Sequence, residues 1–146
     1  MTIKIFLLLS ITCFVGTANA DFGRIQSSGA KGRLLCNGKP AEGVRVRLWN
    51  HNSISNVYDK HMGLTTTDSN GFFQVFGHSS ETFFGSISPK INIDHECEDN
   101  WPCNRRIRIF IPDSYVTDGW TPERFYDAGV LELSGEFAGE ERDCFN

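Results

Sequence analysis

The sequence predicts an all-β fold, an antiparallel sandwich of two sheets with seven or eight strands. Apolar and polar residues alternate in several short segments, which is typical of strands with one side buried and the other in solvent. Turn sequences such as Asn37-Gly38 and Asp118-Gly119 separate these segments. No segment keeps the 3.6-residue period of an amphipathic helix, so we expect at most a turn of helix within residues 113–124.

Seven segments are predicted as strands in order along the chain. The clearest is 44–50, where three apolar residues alternate with Arg45 and Arg47. Residues 21–30 contain glycine and serine without any periodicity, and they are predicted to form a flexible leader. The predicted strands are residues 31–36, 44–50, 63–66, 72–76, 81–94, 105–111 and 128–133.

Alternation also predicts which side of each strand faces the core. A shift of one residue would move every side chain to the opposite face, so the pattern fixes the inward set. Asn92, Asp94, Arg106, Arg108 and Phe110 are then predicted to point outward. The predicted core residues are Val44, Val46, Leu48, Ile91, Ile93, Ile107 and Ile109.

Residues 1–20 have the pattern of a secretory signal peptide. Lys4 precedes an apolar stretch at 5–15, and Ala18-Asn19-Ala20 is a small-residue cleavage site. The apolar stretch is shorter than the ~20 residues that a membrane-spanning helix needs. We therefore expect an exported protein whose mature part, residues 21–146, is one extracellular domain.

The charge of the predicted mature chain argues against nucleic acid as a partner. Without Lys4 the chain has 13 basic and 18 acidic residues, a net charge of −5. Binding to nucleic acid rests on a positive surface, which this overall charge disfavours.

Cys36, Cys97, Cys103 and Cys144 remain after cleavage, and an even number in a small exported domain predicts two disulfides with three possible pairings. A turn-rich loop separates Cys97 from Cys103, so we expect these two to be bonded, which leaves Cys36 to pair with Cys144. A zinc site is rejected because the cysteine spacing does not form paired CxxC knuckles.

Five segments, in order along residues 31–133, resemble the secreted transthyretin-like family of nematodes. The first, 32–49, is a short strand, a turn containing Gly38-Lys39-Pro40-Ala41, and an amphipathic strand that ends in Trp49. The others are 65–73 (TTTDSNGFF), 91–97 (INIDHEC), 103–112 (CNRRIRIFIP) and 126–129 (YDAG). The resemblance implies a transthyretin-like fold in which strands 44–50, 81–94 and 105–111 lie side by side.

This arrangement would place Arg45, Arg47, Arg106 and Arg108 on one outer face, and they are our candidate ligand-binding residues. Arginine forks bind phosphate and carboxylate groups through two hydrogen bonds, so four of them favour an anionic head group. The competing interpretation is that they are ordinary solvent-facing residues paired with Asp94 or Glu96.

The acidic residues around Cys97 are compatible with a calcium site or with ordinary turn formation. Their spacing matches no calcium-binding loop, and the Asp68–Gly71 segment is too short for an EF-hand. We predict no metal and no cofactor. The acidic residues are Asp94, Glu96, Glu98 and Asp99.

Catalysis was considered because the chain has four histidines, His51, His61, His78 and His95. The chain resembles hydroxyisourate hydrolase in fold only. That family ends in a Tyr-Arg-Gly-Ser-type tail that lines its active site, whereas this chain ends in EERDCFN. We therefore predict no enzymatic activity, and we expect His95 to be a structural residue hydrogen-bonded at a strand end.

The resulting prediction is a secreted, non-enzymatic extracellular binding protein. One member of the family that the chain resembles bridges phosphatidylserine on dying cells to an engulfment receptor. The expected partners are therefore an anionic phospholipid or a receptor protein at a cell surface, and a second copy of the chain is a further candidate. The alternatives are a hydrolase of the hydroxyisourate type and a carrier of a small hydrophobic molecule.

Overall fold

Two five-stranded sheets pack face to face in the computed structural model, which describes residues 23–51, 59–81 and 85–144. The predicted signal peptide lies outside the described residues. A 3-10 turn at Asp113–Tyr115 falls where the sequence predicts a turn of helix. The strands are β1 (Arg24–Cys36), β2 (Lys39–Pro40), β3 (Arg45–Asn50), β4 (Lys60–Thr66), β5 (Phe72–Glu81), β6 (Pro89–His95), β7 (Asn104–Phe110), β8 (Thr117–Asp118), β9 (Tyr126–Glu132) and β10 (Glu141–Asp143).

The first sheet is built around β1. This strand pairs antiparallel with β5 over ten residues, and with the short strands β2 and β8. It also pairs with β9, in this case in the parallel direction. Each of the seven long strands overlaps one segment that alternation predicts, and the predicted two-sheet, all-β fold class is confirmed. The predicted strand at 81–94 is too long, because Glu81 ends β5 and β6 begins only at Pro89.

The second sheet has the order β10-β7-β6-β3-β4, and every neighbouring pair is antiparallel. Its central strand, β6, is buried along its whole length from Pro89 to His95. Because β6 is buried on both sides, its outward side chains must be covered by the longer side chains of the neighbouring strands β3 and β7.

The core lies between the two sheets and contains the residues that alternation selects. Val46, Leu48, Ile91, Ile93 and Ile107 are buried as predicted. The other two predicted core residues, Val44 and Ile109, are partly buried and pack against the same cluster. The first sheet contributes Ala30, Leu34, Phe73 and Val75 from β1 and β5.

The two sheets pack closely where β4 crosses β5. A Cβ atom on Gly63 would lie 2.5 Å from the backbone oxygen of Phe76, and one on Gly77 would lie 2.0 Å from that of Met62. Only glycine leaves room for backbones at this distance, so these two residues fix where the strands cross.

The prediction of a flexible leader at residues 21–30 is wrong for the described part of that segment. Residues from Arg24 onward belong to β1 and pair with the second half of β5. The small residues from Ser27 to Ala30 are buried, and the Phe125 ring lies so close to Gly29 that a Cβ there would be 2.7 Å from it. Small size rather than alternation marks this buried stretch.

The predicted disulfide pairing is also wrong, although all four cysteines are bonded. Cys36 bonds to Cys97, with Cα atoms 5.8 Å apart, and Cys103 bonds to Cys144, with Cα atoms 4.3 Å apart. The reason is strand register: Asp143 on β10 lies opposite Asn104 on β7, so the next residues outward are the two cysteines. The expected Cys97–Cys103 and Cys36–Cys144 bonds ignored β10, which alternation does not reveal.

Peptide mapping of the mature protein under non-reducing conditions tests this pairing. We expect Cys36 to be linked to Cys97 and Cys103 to Cys144, because the sheet register brings those Cα atoms within bonding range. Recovery of a peptide that links Cys97 to Cys103 would show that β10 does not pair with β7 as described.

Candidate functional site: the arginine face of the second sheet

Strand register brings the four candidate arginines together on the outer face of the second sheet. Asp94 of β6 lies between Arg45 of β3 and Arg106 of β7. In the next row, Asn92 lies between Arg47 and Arg108. We call the outer face of β3, β6 and β7 the arginine face.

The carboxylate of Asp94 is fully buried at the centre of this face. Its Oδ1 accepts a hydrogen bond from Nε of Arg106 at 2.7 Å, and its Oδ2 lies 3.8 Å from Nη1 of Arg47. A charge that is removed from water needs such partners, because its desolvation is costly. Asp94 therefore constrains the positions of two of the four guanidinium groups.

Arg106 is held on both sides. Besides Asp94, it forms an ion pair with Asp143 of β10, and only 17% of its side chain is exposed. Burial by itself would lower the pKa of Arg106, but hydrogen bonds and negative charge from Asp94 and Asp143 raise it above its ordinary value. The pairing with Asp94 that the competing interpretation expects is therefore confirmed for Arg106, although its side chain is more enclosed than a solvent-facing residue would be.

Arg108 and Arg45 are the more available members of the arginine face. Arg108 is exposed and donates to Glu141 at 2.8 Å, in a pair where both side chains contact solvent. Arg45 is half-buried, and it forms no ion pair with any residue that the structure describes. It lines a pocket of about 440 Å³ at the end of β6.

A lysine that sequence reasoning missed closes the other end of this face. Lys90 lies between Trp49 and Phe110 in register, with 4% of its side chain exposed. Its Nζ is 2.5 Å from Oδ2 of Asp59, and the other oxygen of Asp59 is 3.0 Å from Nδ1 of His51. Lys90 has the same parity as Asn92 and Asp94, so alternation along β6 could have identified it.

His95 occupies the structural position that we expect for it. Its Nδ1 accepts the backbone N–H of Cys97 at 3.2 Å, so the ring proton is assigned to Nε2, which has no hydrogen-bond partner among the described residues. Burial, together with the positive charge of Arg105, lowers the pKa of His95. A neutral imidazole therefore packs beside the Cys36–Cys97 disulfide.

His51 and His61 lie near each other, just after β3 and at the start of β4, whereas His78 is on β5 and His95 ends β6. His61 packs edge-on against Trp49, His78 packs against Trp120, and His51 contacts Asp59. The described residues contain no group of three or more His, Cys, Asp or Glu side chains arranged to hold a metal ion. They also include no helix with the length and apolar character needed to cross a membrane.

Comparison with known proteins agrees with this fold. The sequence profile of the transthyretin-like family matches residues 31–112. Three similar proteins come from Caenorhabditis elegans: Transthyretin-like protein 5, 44% identical over 95% of this chain and 99% of its own; Transthyretin-like protein 2, 42% identical over 90% and 93%; and Transthyretin-like protein 33, 39% identical over 94% and 93%. This chain therefore belongs to the transthyretin-like family.

Two single substitutions distinguish the structural from the available arginines. Arg106→Ala is expected to lower the free energy of unfolding by about 2–3 kcal/mol, because it removes the hydrogen-bonded partner of a buried carboxylate. Arg108→Ala removes an exposed ion pair and is expected to cost about 0–1 kcal/mol. Urea denaturation of both variants measures the difference, and equal losses would contradict the central role assigned to Asp94.

Proposed function

We propose that this protein is a secreted, non-enzymatic binding protein that recognises an anionic phospholipid surface through its arginine face. The supporting observation is the concentration of positive charge on three adjacent strands. The outward positions of β3, β6 and β7 carry four arginines and Lys90, and the carboxylates that contact them are those of Asp94, Asp59, Glu141 and Asp143. An acidic protein thus has one face where cations predominate.

The available groups on this face suit a lipid head group. Arginine donates two parallel hydrogen bonds to a phosphate or carboxylate, and phosphatidylserine carries both of these groups. Arg45 and Arg108 are the residues that we assign to this contact, since Arg106 and Arg47 neutralise Asp94.

A non-enzymatic role is supported by the placement of the residues that catalysis would need. Each histidine contacts a different partner: Asp59 for His51, Trp49 for His61, Trp120 for His78 and the backbone N–H of Cys97 for His95. The C-terminal segment bonds to β7 rather than presenting the polar tail that the hydrolase family uses. These observations favour the binding function over the hydrolase alternative.

Vesicle sedimentation with the mature protein tests this proposal. We expect association with phosphatidylcholine vesicles that contain phosphatidylserine and none with pure phosphatidylcholine, and we expect it to weaken with salt as the Debye length falls from ~10 Å at 0.1 M to ~3 Å at 1 M. Arg45→Gln combined with Arg108→Gln should weaken association about tenfold or more, since each cation near an anionic surface contributes about 1 kcal/mol.

The matched control is Arg24→Gln combined with Arg124→Gln, which changes the net charge equally at two exposed arginines away from the arginine face. This control should bind nearly as the parent protein does. Inorganic phosphate at matched ionic strength tests whether the phosphate group alone competes. Equal binding to acidic and neutral vesicles would reject the lipid proposal and leave a receptor protein as the partner.

A groove on the opposite side of the molecule favours a second candidate function, transport of a small hydrophobic molecule. It has a volume of about 510 Å³ on the first sheet, and Phe72 and Val130 form exposed apolar walls. Asp68 and Asp127 border it but accept backbone N–H groups of their own turns. Lys31 and Arg33 also border the groove, and neither forms an ion pair with the described residues, so the groove suits an apolar molecule with a negative group.

The fluorescent probe 1-anilinonaphthalene-8-sulfonate, an aromatic anion, tests the carrier function. Lys31→Gln should weaken probe binding about fivefold, the loss expected when one exposed charge pair is removed. Lys39→Gln, at an exposed lysine on β2, serves as the matched control and should not change it. Identical titrations for the two variants would exclude Lys31 as an anion contact.

A further inference from the structure

The short C-terminal strand places two carboxylates beside the arginine face. β10 pairs antiparallel with β7, and Glu141 lies directly opposite Arg106. Glu141 and Asp143 share one side of β10 because side chains two residues apart point the same way. That side is the side of the arginine face.

Both carboxylates of β10 bind arginines of β7. Glu141 accepts from Nη2 of Arg108 at 2.8 Å, and Asp143 forms an ion pair with Arg106. At the other edge of the sheet, β4 places the neutral residues Leu64 and Thr66 opposite Arg47 and Arg45. Among the residues that the structure describes, Glu141 and Asp143 therefore bring negative charge to the β7 arginines from the β10 side, while Asp59 does the same for Lys90 at the end of the face.

β10 is fixed just beyond both of its ends. Before it, Glu140 binds the buried Arg105, whose guanidinium also donates to the backbone oxygens of Leu133 and Gly135. After it, Cys144 is bonded to Cys103. A strand of three residues has too few ladder hydrogen bonds to persist alone, so these two attachments hold it against β7.

We propose that β10 is an autoinhibitory cover of the arginine face, with Glu141 occupying Arg108, which an anionic head group would bind, and Asp143 adding negative charge beside it. This inference rests on the proposed lipid-binding function. A head group reaching Arg108 exchanges one carboxylate–arginine pair for another, so its net gain is small while the cover is in place. Binding strengthens when the carboxylates are neutralised or when the strand is released.

The direct test neutralises the cover without removing it. Glu141→Gln combined with Asp143→Asn keeps the shape of both side chains and leaves the disulfide intact. The loss of two negative charges anywhere on the protein favours binding to acidic vesicles. The matched control is therefore Asp113→Asn combined with Glu123→Gln, at two exposed residues away from the arginine face. The cover variant is expected to bind phosphatidylserine vesicles about fivefold or more tightly than this control.

A second variant releases the strand itself. Cys103→Ser combined with Cys144→Ser removes one of the two attachments, and it should also bind more tightly than the parent protein. Further addition of Arg108→Gln to the cover variant should reverse its gain, because Arg108 is the group that neutralisation of Glu141 exposes. Thermal melting of each variant shows whether the sandwich stays folded. If the serine variant unfolds, the charge variant alone tests the proposal.

The possible outcomes separate the two proposals. If the cover variant and the charge-matched control bind equally, the cover is overturned while lipid binding stands on the loss seen with Arg45→Gln and Arg108→Gln. If neither the parent protein nor the cover variant associates with phosphatidylserine vesicles, lipid binding is overturned and the cover with it. A gain in the cover variant that Arg108→Gln reverses supports both.

Discussion

Burial of the Asp94 carboxylate at the centre of the second sheet is the constraint on which the arginine face depends. A buried charge must be paired, and the partners here come from both neighbouring strands, Arg47 on β3 and Arg106 on β7. These contacts span three strands, so they also oppose any slip in register that would carry the core side chains outward. Charge pairing on the outer face and hydrophobic burial on the inner face thus specify the same register of β3, β6 and β7.

The two outer faces of the sandwich consequently differ in chemistry. The second sheet presents charged side chains arranged around Asp94, while the first sheet exposes Phe72, Phe76 and Val130. Cations over aromatic rings occur on both, with Arg33 above Phe72 and Lys90 near Phe110. A charged face suits a head group and an apolar groove suits a small hydrophobic molecule, so each proposed function belongs to one sheet.

Alternation predicts the parts of the structure in which a strand has one side exposed to solvent and the other side buried in the core. Val46 and Leu48 were placed in the core and Arg45 and Arg47 outside it, because that pattern is local in the sequence. It could not predict that Arg106 is largely enclosed, since this depends on Asp143, 37 residues away. It also missed the first half of β1, where small buried residues such as Gly29 leave no apolar period to detect.

The C-terminal segment shows the same limit and explains the error in the disulfides. Three residues are too few to show apolar–polar alternation, so the sequence does not predict β10. Without β10, the short loop between Cys97 and Cys103 favours a disulfide between these two cysteines. In the folded chain the Cys36–Cys97 bond instead joins the end of β1 to the segment after β6, linking the two sheets. The Cys103–Cys144 bond fixes β10, and with it two carboxylates beside the arginines. The local sequence pattern does not predict this disulfide, yet by holding β10 against β7 it adds two negative charges to the face that we propose binds the ligand.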